Sequence, residues 1–301
     1  MHGKNRALGF GACMVASSLW GCGFFFGKIA LREMGVGHMV LYRFLFAVAA
    51  MLPLLVTHPP KFNRREWGIL LVASFLGVPV QFLLQFYGLS LTTVSHASLM
   101  VGMMPVLLAV GAAAWAHERM DLVGWLALAG STGGAAMIAL GHTAGGGSSL
   151  TGDLCVVVSL AIALFWILAN KQLVEGHSAI TVTAYGQAVG TVMLAVWVLL
   201  RDGPPPVAGV SWKAWAALAA SGVLCTATTT TLWNWGLTQV PASQAGVLLN
   251  MEPLMGSLLG VLVLGDRLGT SAWAGGGLIL VSAITLTTRS KTRVRERIAV
   301  G

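Results

Sequence analysis

Long apolar runs follow one another along the chain, separated by short polar gaps. A membrane-crossing helix needs about 20 mostly apolar residues. Ten stretches have that character: 8–30, 37–57, 67–88, 94–116, 122–140, 151–172, 178–200, 212–236, 242–264 and 271–289. Turn residues mark the gaps. His58-Pro59-Pro60-Lys61 follows the second run, Gly145-Gly146-Gly147-Ser148-Ser149 precedes the sixth, and Gly203-Pro204-Pro205-Pro206 follows the seventh. The gap at 89–93 is so short that helices three and four must form a tight hairpin. The pattern predicts an all-α integral membrane protein with ten transmembrane helices.

Composition agrees. Of the 301 residues, 56% are hydrophobic and only 9% are charged, where soluble domains carry about a quarter. The mean hydropathy is +0.80. The net charge of +8 could suggest a nucleic-acid partner, but the basic residues lie in gaps between apolar runs and in the tail rather than on one soluble face. Placing the N-terminus in the cytoplasm puts Lys4, Arg6, Lys61, Arg64, Arg65, Arg119, Lys171, Arg289, Lys291, Arg293, Arg295 and Arg297 on the cytoplasmic side. Lys28, Arg32, Arg201, Lys213 and Arg267 fall on the other. This positive-inside bias puts both termini in the cytoplasm, as an even number of spans requires. Lys4 and Arg6 before an apolar run mimic a signal peptide. The run is too long and lacks a small-residue cleavage site, so it reads as the first span. The four cysteines, Cys13, Cys22, Cys155 and Cys225, sit inside apolar runs without metal-ligand spacing. Neither a disulfide framework nor a metal or cofactor is implied.

An offset of 148 residues superimposes the two halves without a gap. Gly88-Leu89 falls on Gly236-Leu237, Ser95 on Ser243, Ala97 on Ala245, Met103 on Met251, Pro105 on Pro253, Glu118-Arg119 on Asp266-Arg267 and Trp125 on Trp273. Apolar residues match by chance; a proline, a tryptophan and an acid-Arg pair in one register do not. The expected organisation is an N-terminal five-helix repeat over 1–146, a C-terminal repeat over 147–290 and a basic cytoplasmic tail over 291–301, resting on anionic headgroups. Five spans is an odd number, so the second repeat enters the membrane inverted. Inverted repeats are common in secondary transporters and put the substrate site near the midplane, where the halves meet.

The repeat has a recurring set of residues. These are an early Trp (Trp20, Trp166), Tyr42-Arg43 in helix two, a Gly ending helix three, a midspan Pro (Pro105, Pro253) and an acid closing the fourth span (Glu118, Asp266). In these features nearly the whole chain resembles the EamA-type branch of the drug/metabolite transporter superfamily, with Asp266 standing where glutamate is more usual. Within that family it is most similar to the bacterial aromatic amino acid exporters. The resemblance implies export of amino acids across the bacterial inner membrane, through a central cavity made by helices one, three, four, six, eight and nine.

Candidate site residues carry open alternatives. Trp20, flanked by Gly21 and Gly23, and its counterpart Trp166 are midmembrane tryptophans that either pack helices or line the cavity. Gln81 and Gln85 share a helix face with four-residue spacing, and Tyr87 follows. A polar stripe facing lipid is costly, so it serves an interhelical hydrogen bond or the substrate. His96, Met100 and Met103 in helix four are structural residues or a substrate wall. Asn250 and Glu252 lie near the centre of helix nine. A charge at that depth costs about 2.5–3.5 kcal/mol, and Arg43 is the other deep charge. The two form a structural ion pair, or Glu252 couples proton movement to transport. Pro79, Pro105 and Pro253 are candidate hinges or helix breaks.

No nucleophile elbow, paired carboxylates or phosphate-cradling Gly-rich loop is present. The expectation is therefore a non-enzymatic secondary transporter whose partners are an amino acid substrate and the lipid bilayer, with no nucleic acid and no obligatory oligomer. An exporter of drugs or other metabolites is the alternative within transport. An intramembrane enzyme is the alternative from another class.

Overall fold

The computed structural model describes residues 2–104, 106–107, 122–140, 149–174, 176–239, 248–282 and 284–285. Ten helices are found among them: α1 (His2–Ala30), α2 (Val36–Thr57), α3 (Arg64–Leu91), α4 (Val94–Val101), α5 (Leu122–Leu140), α6 (Leu150–Val174), α7 (Ala179–Arg201), α8 (from Trp212 to Gln239), α9 (Met251–Leu264) and α10 (270–282). Described residues include no strand. Five of these helices hold a continuous apolar stretch long enough to span a bilayer: Ala7–Ala30, Val36–Thr57, Arg64–Leu91, Leu150–Ile167 and Ile180–Arg201. Pro105, the Glu118-Arg119 pair and the basic tail lie outside the described residues.

Local sequence explains where the helices start and stop. Asn63 begins α3 with a reciprocal capping box: its Oδ1 accepts from the Glu66 amide at 2.9 Å, and Glu66 Oε2 accepts from the Asn63 amide at 2.7 Å. Gly265 ends α9 in the left-handed conformation, φ 73°. The next amide, Asp266, turns back to the Gly260 carbonyl at 2.9 Å.

Two helices carry wide π-type turns inside their spans, Leu76–Val80 in α3, around Pro79, and Ala220–Thr228 in α8. The 148-residue offset lays the first onto the second. Two more interruptions also correspond. Backbone turns at 102–103 follow α4, and turns at 249–250 precede α9. Pro253 has no N–H to offer the Leu249 carbonyl, which accepts instead from the Glu252 amide at 3.1 Å.

Helix pairing has the same symmetry. α1 packs on α8 and α9, while α6 packs on α3 and α4; α2 packs on α7, and α4 on α9. α5 and α10 meet where a Cβ on Gly134 would lie 2.5 Å from the Gly275 carbonyl. The principal contacts made by one half have their images in the other, as an inverted five-helix repeat requires. Without a hydrophobic drive between helices in lipid, small residues that allow close backbone approach hold such a bundle. A Cβ on Gly88 would lie 2.6 Å from the Gly152 carbonyl across α3–α6. One on Gly21 would strike the Glu252 carbonyl of α9 and sit 3.0 Å from the Gly256 amide.

Candidate functional site

Arg43 organises the centre. It is 4% exposed on α2, within an apolar span. Its Nε donates to Thr226 Oγ1 at 3.0 Å, and a terminal N–H reaches the Cys225 carbonyl at 3.5 Å. Both acceptors belong to the π-type turn of α8, where the Thr226 hydroxyl donates back to the Ser221 carbonyl at 3.0 Å. The guanidinium also lies over the Phe82 and Phe86 rings of α3, 5.0 and 5.1 Å from their centroids. Gly23 of α1 leaves room beside it. Four helices therefore meet on one cation, held by neutral oxygens and ring faces.

Glu252 opens α9 beside Gly21 of α1. It and Arg43 act on each other through space, but no ion pair joins them; the ion pairs among described residues are His96–Asp153 and Glu66–His177. The direct Arg43–Glu252 pair expected as one alternative is replaced by the Thr226 and Cys225 bonds. Each deep charge thus lacks a direct counter-ion among the described residues. Asn250 is buried just before Glu252, in the turn that breaks the helix.

Tryptophans flank this centre. Trp20 packs on Trp233 of α8, centroids 5.4 Å apart. In the other half Trp166 fills the space over Gly77, where a Cβ would lie 2.6 Å from its Nε1. The two predicted counterparts thus occupy related seams, α1–α8 and α6–α3, and do not touch each other. Gln81 and Gln85, each 7% exposed, lie on α3 between Gly77 and Gly88, both of which abut α6. Gln81 Oε1 is buried without a protein hydrogen-bond partner. Tyr87 stands apart. It is 50% exposed, because two residues along a helix turn the side chain by about 200° from Gln85. Met100 and Met103 are buried in the main core, and Pro253 packs near Gly102.

His96 lies toward the membrane face opposite the N-terminus, here the far face. It is fully buried, with Nδ1 3.4 Å from Asp153 Oδ2 of α6. Asp153 also accepts from the Thr92 hydroxyl at 2.6 Å. Lys28 donates to the Leu89 and Thr92 carbonyls, each at 2.6 Å, neutralising the negative end of α3. The Ser95 amide donates to Asp266 at 2.9 Å. Ser211 donates to Glu33 from its amide and its hydroxyl, both at 2.6 Å. Those bonds, the hydroxyl's foremost, hold the Glu33 carboxyl below the usual carboxylate range. Tyr42 donates to the Pro206 carbonyl at 3.0 Å. Most of these bonds join one half to the other across the far face.

Sequence reasoning missed Trp233, Phe82, Phe86, Thr226 and Asp153 as partners. The four-residue spacing of Phe82 and Phe86 and the need of Arg43 for acceptors were available signals. No sequence feature marked Trp233 or Asp153.

Two five-helix repeats, corresponding helix breaks and buried charges within the apolar spans define a polytopic transporter architecture. The chain belongs to the EamA-like transporter family, whose model matches residues 7–140 and again 150–288. An uncharacterized transporter of Archaeoglobus fulgidus is 26% identical over 90% of this chain and 93% of its own. A Streptantibioticus cattleyicolor protein named "Probable terminal-alkyne amino-acid exporter" is 26% identical over 96% of this chain and 97% of its own. A solved crystal structure, 18% identical, superposes with a TM-score of 0.67 over 96% of this chain and 98% of that one, which shows a shared fold. The protein is therefore a multi-pass membrane transporter of small molecules and not an enzyme.

Proposed function

We propose that this transporter exports amino acids, aromatic and other neutral ones, from the cytoplasm across the bacterial inner membrane by alternating access, with both termini cytoplasmic. The observation that carries this reading is the pair of deep, opposite charges that lack direct counter-ions. A zwitterion complements them: its carboxylate meets the Arg43 guanidinium and its ammonium meets Glu252. Such pairing offsets the cost of holding each charge in a low-dielectric interior. Trp20 and Trp233 supply an aromatic wall for an apolar side chain. Gln81 and Gln85, with Trp166, form the related wall on the α3–α6 seam, and Asn250 sits in the broken turn beside Glu252. Pro79 and Pro253 mark the points about which the helices flex. The name of the Streptantibioticus cattleyicolor relative points to the same substrate class.

The transport cycle follows from the far-face ties. With them made, the site communicates with the cytoplasm. Release outside requires Lys28, His96–Asp153, Ser95–Asp266 and Glu33–Ser211 to let go together while the opposite face closes.

The test is uptake of labelled phenylalanine, tryptophan, threonine and methionine by liposomes holding the purified protein, with and without a pH gradient, beside Trp20→Ala and Glu252→Gln. Saturable flux that falls in Trp20→Ala is expected. Flux that a gradient accelerates in the parent and not in Glu252→Gln would assign proton coupling to Glu252. Folded protein that moves none of the four overturns the amino acid reading and leaves export of drugs or other metabolites.

A further inference from the structure

Below the Gly77–Trp166 crossing, α3 and α6 part toward the face that carries Lys61, Arg64 and Arg65. A groove of about 450 Å³ opens between them, with Arg65 and Gln172 at its mouth, Ile69, Val72 and Leu76 on the α3 wall, and Phe165 on the α6 wall. Its floor includes Gly68, where an added Cβ would meet nothing within 4 Å.

The groove has a polarity and a length. From Arg65 to Leu76 it follows α3 for about 16 Å at 1.5 Å per residue, which is half of a hydrocarbon core of about 30 Å. It is therefore as deep as one leaflet. The walls are apolar along that depth, and the one charged group among the described lining residues is the Arg65 guanidinium at the headgroup end. The amides of the α3 N-terminus are not what an anion would meet there, since Asn63 and Glu66 form the capping box. Glu66 also bonds His177 at 3.1 Å, and no acid among the described residues pairs with Arg65. A guanidinium is well suited to a phosphate oxygen pair.

We infer that this groove is a binding site for one anionic phospholipid, an acyl chain lying against Ile69, Val72, Leu76 and Phe165 and the headgroup phosphate on Arg65. The site is distinct from the proposed amino acid site and does not rest on it. Its ligand comes from the leaflet on the basic face, where such lipids are concentrated when that face is cytoplasmic.

Lipid retention tests it directly. The full-length protein is equilibrated with mixed phosphatidylglycerol and phosphatidylcholine micelles and examined by native mass spectrometry, with no transport substrate present. The parent is expected to retain one phosphatidylglycerol in at least tenfold preference to phosphatidylcholine. Arg65→Gln loses the preference. Gly68→Phe, whose Cβ meets nothing within 4 Å and whose ring occupies the groove, loses retention itself, while Arg64→Gln, one residue outside the groove, keeps both. Size-exclusion profiles confirm that each variant is folded. Equal retention of the two lipids, or unchanged retention in Arg65→Gln and Gly68→Phe, overturns the proposal. Unchanged retention with loss of labelled-phenylalanine flux in Gly68→Phe would overturn it too, assigning the groove to the transported molecule.

Discussion

Replacing Arg43 by methionine separates a structural role from a substrate-binding one. The change removes the charged hydrogen bond to Thr226, a kind of contact that contributes about 1.5–3 kcal/mol. It also removes two ring contacts of about 0.5–2 kcal/mol each. Against this, it deletes a deep charge whose insertion costs about 2.5–3.5 kcal/mol, and an unbranched side chain fills most of the space. The opposing contributions nearly cancel, so the fold is expected to lose only about 1–2 kcal/mol. Substrate binding has no such compensation. Loss of a charge-assisted contact to a carboxylate weakens binding by about 1.5–3 kcal/mol, roughly a 10- to 150-fold rise in half-saturation. Arg43→Lys keeps the charge but not the planar fork, and should fall between the two. The assay pairs thermal unfolding in detergent with initial phenylalanine flux into liposomes across a concentration series. A folded Arg43→Met protein with the parent's half-saturation would refute the placement of the substrate carboxylate on Arg43.

Three further outcomes are expected. Gly21→Leu drives a side chain into the α9 backbone and should destabilise the protein by about 1–3 kcal/mol, while Gly11→Ala, with open space around it, should be neutral; parallel melting curves decide. The depressed Glu33 carboxyl contributes stability that is present at neutral pH and lost as the pH falls through its folded value, below 4.5. Glu33→Gln and Ser211→Ala should each flatten the acid side of the stability profile, and an unchanged slope would count against the clamp. His96→Gln and Asp153→Asn share one contact, so the double variant should cost less than the two singles together, by about 0.5–3 kcal/mol. Strict additivity in thermal unfolding would show that this far-face tie is not formed.

Hydropathy alone determined the spans, because a lipid interior forces every crossing segment into a long apolar helix. The ungapped 148-residue register determined the repeat, and five spans per half, an odd number, determined its inversion. Periodicity also put Gln81 and Gln85 on one helix face. What it could not fix was the neighbour that face meets, because a periodic pattern orients side chains about their own axis and carries no information on which distant helix lies opposite. Tertiary packing alone set Trp20 against Trp233 rather than Trp166. Packing also brought Asp153 to His96 across the two halves. Arg43 shows the division most plainly. Its depth could be read from the sequence, and so could its need for acceptors. That those acceptors are Thr226 and the Cys225 carbonyl depends on a π-type turn that frees them, and on glycine contacts that bring α1, α2, α3 and α8 within reach of one side chain.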